Sequence, residues 1–235
     1  GQIEQEAEAL VPLSDGDLKR TLARGEGVPE WFSFPEVLRH LERVHPPHSK
    51  LGFTLFFTGL SGSGKSTLAR ILHARLIENG QRPVTLLDGD IVRRNLSREL
   101  GFSREHRDLN IRRIGFVANE ISKNGGVAIC APIAPYQATR RAIRQLIAQY
   151  GAFIEIYLAT PLAVCESRDR KGLYAKAREG LIPHFTGISD PYQEPEQAEL
   201  TIDTSELAPM EAAQRILLYL VREGFIDADA ASAIQ

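Results

Sequence analysis

The stretch Phe53-Thr54-Leu55-Phe56-Phe57-Thr58-Gly59-Leu60-Ser61-Gly62-Ser63-Gly64-Lys65-Ser66-Thr67 decides how this chain folds. Its first six residues are apolar, aromatic or β-branched, which predicts a short buried strand. Gly59 to Ser66 then fits the pattern G-x-x-x-x-G-K-S, and the residues from Lys65 to Glu78 read as a helix. A loop of this composition turns its backbone N–H groups inward, because glycine has no Cβ to obstruct a closely approaching anion. The helix that follows aims its free N–H groups and the positive end of its dipole at the same anion. Residues Gly59, Leu60, Ser61, Gly62, Ser63, Gly64, Lys65, Ser66 and Thr67 are therefore expected to bind a nucleoside triphosphate. Lys65 would place a charge on the β- and γ-phosphates, and the Ser66 hydroxyl would ligate Mg²⁺.

Outward from this loop, strand and helix signals alternate. Val84–Leu87, Val127–Ala131 and Phe153–Leu158 read as further buried strands, with Leu200–Ile202 a weaker one. Arg107–Lys123, Gln137–Gln149 and Met210–Arg222 read as helices. Repeated β-then-α units predict a three-layer α/β domain with a parallel sheet, its strands ending together at one ligand-binding edge. Residues 1–50 differ. Ser14 with Asp17, and Phe34-Pro35 before Val37, Leu41 and Val44, predict two short helices ahead of the breaker His45-Pro46-Pro47-His48. Two such helices bury little alone, so this segment is expected to pack on something else, with Trp31, Phe32 and Phe34 as anchors.

The 235 residues carry a net charge of −2 and are 43% hydrophobic, which excludes a disordered tail, a fibre or a disulfide-stapled mini-protein. Cys130 and Cys165 lack nearby Cys or His partners, so two reduced, buried thiols are expected rather than a metal site. There is no run of the ~20 apolar residues that a membrane span requires, and Gly1–Glu8 is unlike a targeting peptide. A soluble, cytoplasmic chain is expected, and its leading Gly suggests processing, a tag scar or an excised fragment.

The near-neutral sum conceals a local asymmetry. From Arg93 to Arg113, seven arginines stand against three acids. A charge run is usually a solvated helix face. A phosphorylated or sulfated acceptor, however, calls for planar bidentate donors, so some of these arginines are expected to face the cleft. Phe102 is a candidate to stack on a base. Nucleic acid is disfavoured as a partner by the net charge and the sparse aromatics. Asp88-Gly89-Asp90 ends the second strand at the edge that holds the phosphate loop, where a carboxylate holds the metal shell or takes a proton from an attacking hydroxyl. No guanine-reading motif follows it. Residues 166–192 are polar and glycine-containing, and read equally as a lid or as an irregular surface loop.

Taken together, Phe57–Thr67, Leu87–Asp90, Leu100–Ser103, Asp108–Arg113, Ala159–Pro161 with Cys165-Glu166, Lys171–Ala177 and Phe185–Tyr192 resemble adenylyl-sulfate kinases over residues 52–224. The resemblance implies a P-loop nucleoside-triphosphate hydrolase-type kinase domain. Such a domain transfers the γ-phosphoryl group of ATP to the 3′-hydroxyl of adenosine 5′-phosphosulfate, giving PAPS, with Mg²⁺. It implies Lys65 and Asp90 as catalytic residues, Asp90 with Ser66 at the metal, and Asp88 in support. It also implies that Arg93, Arg107 and Asn110 grip the phosphosulfate and ribose, that Phe102 and Phe185 sandwich the adenine, and that Ile133 and the lid residue Lys171 complete the site. One position departs from the pattern: Ala134 stands where many relatives carry serine, so no phosphoserine can form there. Residues 28–37 resemble the end of an ATP sulfurylase domain, without that enzyme's nucleotide motifs. The implied organisation is a sulfurylase remnant with linker at 1–50, a kinase domain at 51–226 and a tail at 227–235, from a longer bifunctional, homo-oligomeric protein. The alternative is a non-catalytic PAPS-binding regulatory domain, and a less favoured one a different small-molecule kinase.

Overall fold

A computed structural model describes residues 14–28, 34–169 and 171–228. Among these, β1 (Phe53–Thr58), β2 (Val84–Asp88), β3 (Val127–Ala131), β4 (Ala152–Leu158) and β5 (Leu200–Ile202) form one sheet, in the order β2-β3-β1-β4-β5. All neighbouring strands are parallel, and Phe53 lies in register with both Val127 and Ala152. Central β1 is buried at every residue, as a strand covered on both faces requires.

Its side chains divide between the faces with period two. Phe53, Leu55 and Phe57 pack with Leu68, Leu72 and Leu76 of α3 (Lys65–Asn79) and with Ile216, Leu217 and Leu220 of α9 (Pro209–Arg222). Phe56 points the other way, into a core with Ile111, Ile114 and Ala118 of α5 (Arg104–Lys123) and with Ile143 and Ile147 of α6 (Gln137–Ile147). These are the three layers expected. Cys130 and Cys165 are buried free thiols, and burial raises the pKa of each.

Boundaries differ where capping rather than periodicity decides them. Helix α5 starts at Arg104 because the Ser103 hydroxyl accepts the His106 N–H at 3.2 Å. Three helices too short to show periodicity were not anticipated: α4 (Gly89–Leu96), α7 (Leu162–Ser167) and α8 (Leu173–Arg178). The first is capped by Asp88, whose carboxylate accepts the Asp90 N–H at 3.4 Å.

Of the N-terminal segment, α1 (Asp15–Arg24) finds its partner at the C-terminal end of α9. Arg24 pairs with Glu223 at 3.3 Å, His48 stacks on Phe225 at 4.1 Å, and a Cβ on Gly224 would lie 2.9 Å from the Arg24 carbonyl oxygen. Helix α2 (Pro35–Val44) behaves otherwise. Phe34 is 76% exposed, and Val37 and Val44 are exposed too. Phe34 is thus not an anchor among the described residues, because α3, α9, α5 and α6 already occupy both faces of the sheet. Trp31 and Phe32, the other expected anchors, lie outside the described residues.

Candidate active site

The phosphate loop leaves β1 at the C-terminal edge of the sheet and enters α3 at Lys65. Its glycines are sterically required. Gly62 has φ +79°, and a Cβ there would meet the Cys165 carbonyl oxygen at 2.6 Å; at Gly59 a Cβ would meet the Leu158 carbonyl oxygen at 2.7 Å. The loop therefore presses against the backbone beside it with no room for a side chain. Lys65 is buried and folds back over the loop, its Nζ donating to the carbonyls of Gly59 (2.9 Å) and Leu60 (2.6 Å). Desolvation lowers its pKa to about 8. Ser66 Oγ donates to Asp88 Oδ1 at 3.4 Å, while Thr67 is exposed on the first turn of α3.

Behind the loop, polar groups that the sequence reading did not single out brace it. Thr204 Oγ1 donates to the Ser63 carbonyl at 3.0 Å, and Arg168 bonds Thr204 Oγ1 (2.9 Å) and the carbonyls of Thr204 (2.6 Å) and Ser205 (3.2 Å). Tyr174 donates its hydroxyl to the Ser61 carbonyl at 2.8 Å. A faint signal existed, since Thr160 and Thr204 each stand just beyond a strand end on the ligand-binding edge.

Toward β2 and β3, the expected substrate residues differ in what holds them. Asp88 is buried and committed to Ser66, to Arg70 and to capping α4, whereas Asp90 is exposed and paired with Lys171 Nζ at 2.7 Å. Arg93 donates to the carbonyls of Leu100 (3.1 Å) and Gly101 (3.2 Å), and its guanidinium lies 4.2 Å from the centre of the Phe102 ring. Phe102 thus offers a stacking face that Arg93 already covers. Burial, followed by the charge on Arg107, lowers the Arg93 pKa. Arg107 donates to Thr186 Oγ1 (2.7 Å), the Tyr136 hydroxyl (2.8 Å) and Asp190 Oδ2 (2.7 Å).

Two buried polar atoms here have no partner among the described residues: Arg107 Nε and Asn110 Oδ1. Unpaired buried polar atoms are costly, and such vacancies suit a polar ligand. Ile133 carbonyl accepts from the Thr58 hydroxyl at 2.8 Å and from the Gly59 N–H at 3.3 Å, tying the loop after β3 to the cradle. Ala134 next to it has φ +47°, a backbone conformation uncommon for any residue but glycine. Phe185 packs edge-on against Tyr174, ring centres 5.0 Å apart. Of the remaining arginines in the basic stretch, Arg112 pairs with Asp108 and Arg113 with Glu99, on the solvated side of α5.

Residues 166–192 do not form a single loop. Helix α8 sits on the phosphate loop through Tyr174, while the stretch from Thr186 onward is fastened to the body of the domain. Tyr192 shares a hydrogen bond with the Thr58 hydroxyl (2.8 Å), Gln193 N–H donates to the Pro135 carbonyl (2.9 Å), and buried Arg140 donates to the Gln193 and Ala134 carbonyls (2.7 Å each). No described helix is long and apolar enough to cross a membrane.

The adenylylsulphate kinase family profile matches residues 51–203. The chain is 48% identical over 217 residues to a sulfate adenylyltransferase of Aspergillus oryzae and 49% identical over 216 residues to one of Phaeosphaeria nodorum. Each match takes in 92% of this chain but 38% of the relative, so the chain spans less than two fifths of these relatives. Among solved structures, a hexameric APS kinase from Thiobacillus denitrificans is 53% identical with a TM-score of 0.68, over 94% of this chain and 40% of that one. A Mycobacterium tuberculosis APS kinase, CysC, in complex with AMPPNP and APS is 42% identical with a TM-score of 0.69, over 72% of this chain and 98% of that one.

Proposed function

Since this chain belongs to the adenylylsulphate kinase family, we propose that it transfers the γ-phosphoryl group of ATP to the 3′-hydroxyl of adenosine 5′-phosphosulfate, forming PAPS and ADP. The observation that carries this reading is the meeting, at one sheet edge, of a complete phosphate loop with two neighbouring guanidiniums, Arg93 and Arg107, beside buried polar atoms without partners.

ATP phosphates lie on the inward N–H groups of Gly59–Thr67. Lys65 exchanges its loop carbonyls for the β- and γ-phosphates, which restores the full charge that burial weakens. Asp90 meets the attacking 3′-hydroxyl and takes up its proton, once Lys171 leaves it for the substrates. Asp88, already engaged on three sides, supports rather than reacts. Arg93, Arg107 and Asn110 hold the phosphosulfate and ribose, Phe102 and Phe185 flank the adenine, and Ile133 and Ala134 form the wall toward β3. Ala134 has no hydroxyl to carry a phosphoryl group, so transfer passes directly from ATP to the acceptor. Mg²⁺ suits the hard oxygen donors of Ser66 and the Asp88 and Asp90 carboxylates, and when bound it neutralises charge on the phosphates.

The same reading makes residues 51–226 the kinase domain, 1–50 the end of a preceding sulfurylase domain with its linker, and 227–235 a tail, in a cytoplasmic homo-oligomer that acts on small molecules. The match to long sulfate adenylyltransferases and the hexameric relative support it. The test is ADP formation from Mg-ATP with either adenosine 5′-phosphosulfate or AMP as acceptor. Turnover with the phosphosulfate alone is expected, with Lys65→Ala abolishing it. PAPS binding without turnover would favour a regulatory domain instead.

A further inference from the structure

Arg107 is a long side chain asked to present donors in one direction, and its surroundings account for most of its hydrogen-bonding capacity. A guanidinium has five N–H donors. One on Nη1 goes to Thr186 and two on Nη2 go to Tyr136 and Asp190, while Nε–H is buried without a partner. Tyr136 adds a second contact on the same carboxylate oxygen, donating to Asp190 Oδ2 at 2.8 Å. The Asp190 carboxylate is thus doubly engaged, and both it and Arg107 are nearly buried, with 13% and 12% of their side-chain surface exposed.

Asp190 sits between fixed points: Thr186 and Asp190 bridge each other, the Gly187 N–H donates to the Asp190 carbonyl at 2.8 Å, and Tyr192 and Gln193 are tied to β1 and to the loop after β3. Arg107, by contrast, reaches from α5 through a flexible stem. We propose that Asp190 is a positioning residue for substrate binding: its carboxylate, with the Tyr136 hydroxyl, locks the Arg107 guanidinium so that Nε–H stays turned toward the acceptor's anionic group. It touches no reacting atom. It also supplies the counter-charge to Arg107, whose guanidinium has that of Arg93 as a neighbour.

This inference rests on the acceptor assigned under the proposed function, and the experiment separates the two. Equilibrium binding of adenosine 5′-phosphosulfate and steady-state kinetics for both substrates are measured on the wild type, Asp190→Ala, Asp190→Asn and Tyr136→Phe, with melting temperatures alongside. Asp190→Ala is expected to weaken phosphosulfate binding and raise its KM at least tenfold, with the KM for ATP within twofold of wild type. Asp190→Asn keeps an acceptor for the lock and is expected to lose less than the alanine variant; Tyr136→Phe is expected to raise the phosphosulfate KM about threefold. An unchanged phosphosulfate KM in Asp190→Ala overturns the proposal. So does a parallel rise of both KM values, which would mark a merely structural residue. A wild type that binds the phosphosulfate without turnover defeats the kinase reading yet leaves the binding comparison to judge Asp190, and one that does neither defeats both.

Discussion

Gly62→Ala tests the phosphate loop at the position where the structure leaves least room. Two costs add. The backbone at φ +79° is left-handed, which costs a residue with a Cβ about 1–2 kcal/mol. The new methyl would also stand 2.6 Å from the Cys165 carbonyl oxygen, a backbone atom that no rotamer change can move aside. If the loop stayed in place, strain of roughly 2 kcal/mol would lower the melting temperature by about 4–8 °C. The loop is the softer partner, so it shifts, and a misplacement of ~1 Å in a positioning element costs roughly a hundredfold in rate. A coupled assay of ADP formation should therefore find kcat/KM for ATP lowered by about two orders of magnitude, with melting lowered by no more than several degrees. Gly80→Ala is the control. Its φ is +66° and its Cβ would be no nearer than 4.0 Å to other atoms, so it shares the backbone penalty without the collision, at the far end of α3. Gly62→Ala with kcat/KM within threefold of wild type would refute the steric argument, as would an equal loss in Gly80→Ala.

Other expectations follow from the same geometry. Lys65 in the ligand-free protein titrates near pH 8, so kcat/KM for ATP should fall on the alkaline side with an apparent pKa close to that value. Its contribution to stability should move the opposite way: between about pH 8 and 10 the unfolded chain holds the proton more tightly, so that contribution rises with pH. Urea melts of wild type and Lys65→Met across that range would show the difference. Lys171→Met breaks an ion pair exposed on both sides, so it should lower kcat at least tenfold while changing stability by less than ~1 kcal/mol, read from kinetics and melting together. Gly115→Ala places a methyl 2.6 Å from Ile143 Cγ1 in the contact between α5 and α6, and should destabilise the fold by about 1–3 kcal/mol in a denaturant titration while leaving both KM values unchanged.

The legible parts of this protein are those that depend on near neighbours. The cradle needs glycines where the backbone turns left-handed, a lysine and a serine one after the other, a strand before and a helix after, and all of that lies within residues 53–79. The strand ranges were readable for the same reason, since burial on both faces leaves runs of apolar and β-branched residues such as Phe53–Phe57 and Val127–Ala131. Short helices escaped because α4, α7 and α8 complete too few turns to imprint a period, and Phe34 misled because an exposed aromatic and a buried one look alike in sequence.

By itself the sequence determined a P-loop α/β domain, the position of its glycine-rich loop and a stretch of excess positive charge. Only the tertiary structure decided which arginines of that stretch pack beside the proposed site and which stay on the surface. Arg93 and Arg107 turn inward, whereas Arg112 and Arg113 are spent on surface carboxylates. It alone revealed that Arg93 covers Phe102, that Arg168 and Thr204 brace the loop, and that Asp190, 83 residues away in the chain, holds Arg107. The physical reason is that local periodicity records which face of an element is buried but not what is packed against it. That depends on the order β2-β3-β1-β4-β5, which brings the ends of distant strands to one edge and which no spacing in the sequence encodes.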